Sequence, residues 1–88
     1  MITQNDFKIL QSILDEKDKT KGVIKTNGTT KREIMECTGM SITKVTNTLL
    51  NFYNQGLIES GLSVKNAKSY IVTEKGMIEL MNLKGMNV

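Results

Sequence analysis

Residues 33–59 read EIMECTGMSITKVTNTLLNFYNQGLIE. Ile34 and Cys37 stand at helical spacing and end at Thr38-Gly39, where glycine takes a left-handed conformation without a steric penalty. Ser41 then begins a second periodic run, in which Val45, Leu49 and Phe52 recur at i, i+4 and i+7 as one apolar stripe. Gly56 closes that run. The stretch predicts two helices, 31–37 and 42–55, joined by a tight turn across which Met40 packs back. Such a turn sets the second helix at a steep angle to the first, a helix-turn-helix. Thr30 caps the first helix, and Glu33 completes a capping box, T-K-R-E.

The outward face of 42–55 offers Thr43, Lys44, Thr46, Asn47, Thr48 and Asn51, and no acidic residue occurs from 37 to 58. Threonine and asparagine are poor helix formers, so their concentration there asks for another reason. Hydroxyls and amides hydrogen-bond base edges, asparagine pairs with adenine through two bonds, and a threonine methyl meets the thymine methyl. The amides at the Ser41 end also favour anions.

Outward from this core, Thr3 caps a helix expected over 4–15, with Phe7, Leu10, Ile13 and Leu14 on its apolar side and Asp6 completing a capping box. Residues 16–29 read as a polar, mobile loop, with Val23-Ile24 as a short strand inside it. After the helix-turn-helix the period changes. Leu57-Ile58 and Tyr70-Ile71-Val72 predict a hairpin over 57–73 with a basic tip of Lys65, Asn66 and Lys68. Thr73 caps a last helix, 74–83, carrying Met77, Ile78, Leu80 and Met81. The expected fold is mainly α with a small β-hairpin (α+β), in one domain over 1–88.

The composition narrows the function. Without histidine there is no Ser-His or Cys-His catalysis and no histidine-containing metal site. No phosphate loop of the GxxxxGK[ST] type occurs and the acidic residues are scattered, so no enzyme, cofactor or metal site is expected. The net charge of +3 suits a polyanionic partner. Of the 12 cationic side chains only Arg32 is arginine, so charge is delivered as lysine points and not as bidentate forks. No apolar run is long enough for a membrane span, and MITQNDFKIL lacks the basic-then-apolar pattern of an export signal, so a cytoplasmic protein is expected. Cys37 is expected to be buried and inert, with a redox role as the alternative.

The run Gly39-Met40-Ser41, Val45-Thr46-Asn47, Leu49, Phe52, Gly56-Leu57-Ile58, followed by Ser69-Tyr70-Ile71-Val72-Thr73-Glu74-Lys75-Gly76, resembles the bacterial winged helix-turn-helix proteins, among them repressors of the multiple-antibiotic-resistance type. The likeness spans roughly 30–80. It implies that helix 42–55 reads the major groove of double-stranded DNA through Ser41, Thr43, Lys44, Thr46, Asn47 and Asn51. It implies that Thr30, Lys31 and Arg32 meet a phosphate, and that Lys65, Asn66 and Lys68 form the wing. Relatives often carry arginine where Asn47 stands and at the wing tip. Readout here is therefore expected to lean on A·T-rich sites, groove shape or many weak contacts.

The apolar stripes at both ends predict a homodimer through Phe7, Leu10, Leu14, Met77, Leu80 and Met81, with closure of this chain's own core by the same side chains as the alternative. Such a dimer would read half-sites about one helical turn apart. The first functional expectation is a dimeric transcriptional regulator, a repressor. The alternative is a centromere-binding adaptor of a plasmid or phage partition system, similar to those that coat direct repeats and recruit a filament-forming protein. A module that binds only proteins is a third reading.

Overall fold

The computed structural model describes residues 3–86. Helix α1 (Gln4–Ser12) is followed by a long connection with a 3-10 turn (Lys25–Asn27), then strand β1 (Thr29–Thr30), α2 (Lys31–Thr38), α3 (Ile42–Gln55), β2 (Ile58–Ser60), β3 (Ser69–Val72) and α4 (Glu74–Met86). The sheet is antiparallel with order β1-β3-β2. In register, Thr30 faces Ser69 on one side of β3, while Ile58 faces Val72 and Ser60 faces Tyr70 on the other.

The helix-turn-helix takes the expected form. Gly39 sits at φ 71° and donates its amide to the Met35 carbonyl at 2.8 Å. Ser41 accepts the Lys44 amide at 3.2 Å and caps α3. The inward stripe of α3 is fully realised: Val45, Leu49 and Phe52 are buried with Ile9 and Leu10 of α1, Ile13 just after it, Ile34 of α2, Leu57, Ile58, Val72 and Leu80. Each such side chain contributes roughly 1.5–3 kcal/mol of transfer free energy.

Three expectations need correction. Helix α1 stops at Ser12 and not at 15. The amides of Ile13 and Leu14 already bond three residues back, and Asp15 then draws the Lys17 amide onto its own carboxylate at 2.9 Å. A short acidic side chain that offers the backbone a turn competes with the helix. Val23-Ile24 is not a strand, because both amides point at the Thr20 carbonyl. The strand of this region is Thr29–Thr30, held by β3 and by the Thr29 hydroxyl on the Ile13 carbonyl. Finally, α4 runs to Met86, three residues beyond the expected end.

The connection expected to be mobile is organised by polar contacts. Asn27 donates to Asp18 at 3.0 Å and to the Thr20 hydroxyl at 2.8 Å. Lys21 pairs with Glu33 at 2.9 Å. Gly22 donates to the Asn27 carbonyl and accepts the Val72 amide, each at 2.8 Å, so the loop joins the sheet through its backbone.

Gly22 lies at φ 73° against Ile13, and a Cβ there would collide with the Ile13 carbonyl oxygen. Gly39 has a similar φ but open space around it. Gly22→Ala should therefore lose about 2–4 kcal/mol in urea unfolding, and Gly39→Ala only about 1–2 kcal/mol, the left-handed penalty alone.

Candidate nucleic-acid interface

Burial of one face of α3 leaves the rest of the helix to solvent. Ser41, Thr43, Asn47 and Asn51 are exposed, together with Ile42 (57%), Leu50 (59%) and Tyr53 (54%). Thr43, Asn47, Leu50, Asn51 and Asn54 fall on one outward strip at helical spacing, and none of them is charged. The Asn51 side-chain oxygen accepts the Gln55 amide at 3.0 Å. Thr46 is half-buried.

Two residues expected on that face are turned elsewhere. Thr48 is buried, 5% exposed, and its hydroxyl reaches Asp6 Oδ1 at 3.5 Å. Lys44 is half-buried, and its Nζ lies 3.0 Å from the same carboxylate oxygen. The ammonium expected to meet DNA is thus engaged within the fold. Asp6 itself is 8% exposed and also accepts the Thr3 amide at 3.4 Å.

At the start of α2 the three expected phosphate contacts divide. Thr30 is buried and committed to the cap: it accepts the Glu33 amide at 3.3 Å and donates to Glu33 Oε1 at 3.2 Å. Lys31 is half-buried. Arg32 is exposed and pairs at the surface with Glu36 at 3.2 Å, which holds it weakly.

The hairpin β2–β3 narrows to a tip at Val64 and Ala67, whose amides and carbonyls exchange two bonds of 2.9 Å. Lys65 and Asn66 between them have φ of 49° and 68°. Two consecutive left-handed residues are the signature of a type I′ turn, whose twist matches the strands. Lys65, Asn66 and Lys68 all project exposed from this tip, as a wing requires.

The residues expected at a dimer interface are also split. Leu10 and Leu80 are 0% and 4% exposed inside this chain's own core, so they are not available to a second chain. Phe7, Leu14 and Met77 lie partly buried against that core, because α1 and α4 pack on each other within the chain. Met81 (72%) and Ile78 (54%) face solvent. Cys37, expected to be buried, is exposed. Ile34 takes the inward position of α2, and Cys37, off that face, lines an open cleft with Leu14, Val23 and Met77.

These features define the class: a winged helix-turn-helix fold. Solved structures bear this out. Staphylococcus aureus MepR, a transcription regulator of the multidrug efflux pump MepA, superposes with a TM-score of 0.77 at 18% identity, over 97% of this chain and 57% of that one. MepR in complex with DNA matches with a TM-score of 0.72 at 17% identity, over 96% of this chain and 63% of that one. A point mutant of Lactococcus lactis ZitR matches at 0.71 and 20% identity, over 97% and 52%. The chain thus spans little more than half the length of MepR or ZitR. No model of a known protein family and no curated protein sequence matches it. Among the described residues no helix is long and apolar enough to cross a membrane.

Burial pushes the Asp6 carboxyl up, but the Lys44 hydrogen bond, the Thr3 amide and the ammonium charge outweigh it and hold the pKa below the ordinary value. Glu33 is lowered likewise: burial raises it, and Lys21 and the Thr30 amide more than offset that. Carboxyls depressed by folding add stability above their unfolded pKa, and that stability is lost as pH falls through the folded values. Urea unfolding should therefore give a level free energy from neutral pH down to about pH 5, then a decline. Asp6→Asn should remove part of that decline.

Proposed function

We propose that this chain binds double-stranded DNA and regulates transcription, with α3 in the major groove and the β2–β3 wing on the flanking backbone or minor groove. The observation that carries the reading is the exposed strip of α3. It is free of acidic groups, and it presents amides, hydroxyls and apolar tips at the end of a capped helix. In this reading Asn47, Thr43 and Asn51 meet base edges, with Ser41 and Thr46 beside them. Lys31, Arg32, Lys65, Asn66 and Lys68 meet phosphate or sugar. Contacts of the first group carry sequence information, and those of the second carry affinity. The observation of MepR on DNA in the same fold supports the assignment.

A homodimer acting as a repressor is part of the proposal. The apolar Ile78 and Met81 on the outer face of α4 are the residues left for a second copy, in place of the buried Leu10 and Leu80. Such a protein would work in the cytoplasm. The second reading, an adaptor that coats direct repeats for a filament-forming partition protein, is favoured by the lack of a free cation on α3, which makes each single site weak.

Selection from a random duplex library, followed by anisotropy titrations at several salt concentrations, tests this. Binding should weaken steeply with salt. Asn47→Ala should cost about 1–3 kcal/mol on the selected site and relax the preference at one base pair. Lys65→Ala with Lys68→Ala should weaken binding to every sequence and lower the salt slope by about one per lost contact. One palindrome as the selected target supports the regulator, and cooperative filling of a direct-repeat array supports the adaptor. No binding at low salt overturns both.

A further inference from the structure

Over Ile42–Gln55 the chain places one cation, Lys44, at the third position of α3. That is the unfavourable end of the helix dipole for a positive charge, so the ammonium needs a compensating anion there. The fold supplies one from another helix. Asp6 of α1, 38 residues away in sequence, holds Nζ at 3.0 Å while Thr48, one turn further along α3, reaches the same oxygen at 3.5 Å. The Asp6 side chain is 11% exposed and that of Lys44 42%. If Lys44 left, the nearly buried carboxylate would keep, among the described residues, the Thr3 amide at 3.4 Å and the Thr48 hydroxyl at 3.5 Å. An almost buried anion stripped of its cation is costly, whereas an exposed ammonium–phosphate contact returns little.

We infer that Asp6 is a specificity-determining residue, acting through Lys44: it withdraws the one cation of α3 from the DNA backbone, so that this helix presents only uncharged groups to DNA. The inference rests on the DNA-binding reading above. A phosphate contact raises affinity for every sequence alike, and base contacts do not. Holding Lys44 on Asp6 therefore lowers non-specific binding and leaves base readout in place. The ratio of specific to non-specific affinity, which decides occupancy on a chromosome, rises.

The experiment is the salt dependence of binding to a random-sequence duplex. It compares the full chain with Asp6→Asn and with Asp6→Asn combined with Lys44→Gln, each checked for folding by circular dichroism. Asp6→Asn should bind this non-specific duplex more tightly and with a steeper slope, by about 0.9. That is about a 3–4-fold larger loss of affinity between roughly 50 and 200 mM salt. The double variant should return to the original slope. A purely structural tie would lower thermal stability and leave the slope alone, and an unchanged slope in folded Asp6→Asn overturns the inference. Lys44→Gln alone covers the case in which Asp6→Asn does not fold. A retained slope supports the inference, and a slope lower by about 0.9 overturns it, because Lys44 would then already touch phosphate. If the unaltered chain fails to bind any duplex at low salt, the DNA-binding reading fails and this inference falls with it.

Discussion

Burial of Phe52 with Val45 and Leu49 sets the rotation of α3 about its own axis, and most of the molecule follows from that setting. A helix has one angle at which three side chains spaced i, i+4 and i+7 all leave water, and any other angle exposes several kcal/mol of apolar surface. Once the stripe is seated in the core with Ile9, Leu10, Ile13, Leu57, Ile58 and Val72, the remaining strip has no choice of direction. Thr43, Asn47, Leu50 and Asn51 point out because Phe52 points in. The core thus aims the surface, and the proposed reading head owes its orientation to side chains that would never touch DNA.

Polar ties complete what packing begins, and several of them join segments distant in sequence. Asp6 links α1 to α3, Lys21 links the long connection to α2 through Glu33, and Gly22 links that connection to β3 through backbone bonds. The described residues show no buried side-chain polar atom without a partner. In a chain of 88 residues with a core this small, such satisfaction matters, because one orphaned buried group costs a large part of the net stability.

Much of this could be read from residues alone, and the parts that could share a physical character. The caps at Thr3, Thr30 and Ser41, the left-handed Gly39, and the limits of α3 are local properties of a few consecutive residues. The hairpin and its basic tip were legible from β-prone runs around a polar stretch. Errors appeared where a local preference met a distant partner or a rival turn. Asp15 ended α1 early, and Thr29–Thr30 became a strand because β3 offered a free edge. Leu10 and Leu80 belong to the periodic stripes that suggested a second chain, but nothing local says whether such a stripe is covered by its own chain.

The division is sharpest at one pair of residues. Spacing, capping and composition within 14 residues were enough to establish that α3 exists, where it begins and ends, and that its polar face is free of acid. The same local logic established that Asp6 completes the capping box begun by Thr3 at the start of α1. Packing in three dimensions was needed to bring that carboxylate to Lys44 and Thr48 of α3. Ion pairing at 3.0 Å depends on where two helices cross in space, and that crossing is set by the whole core.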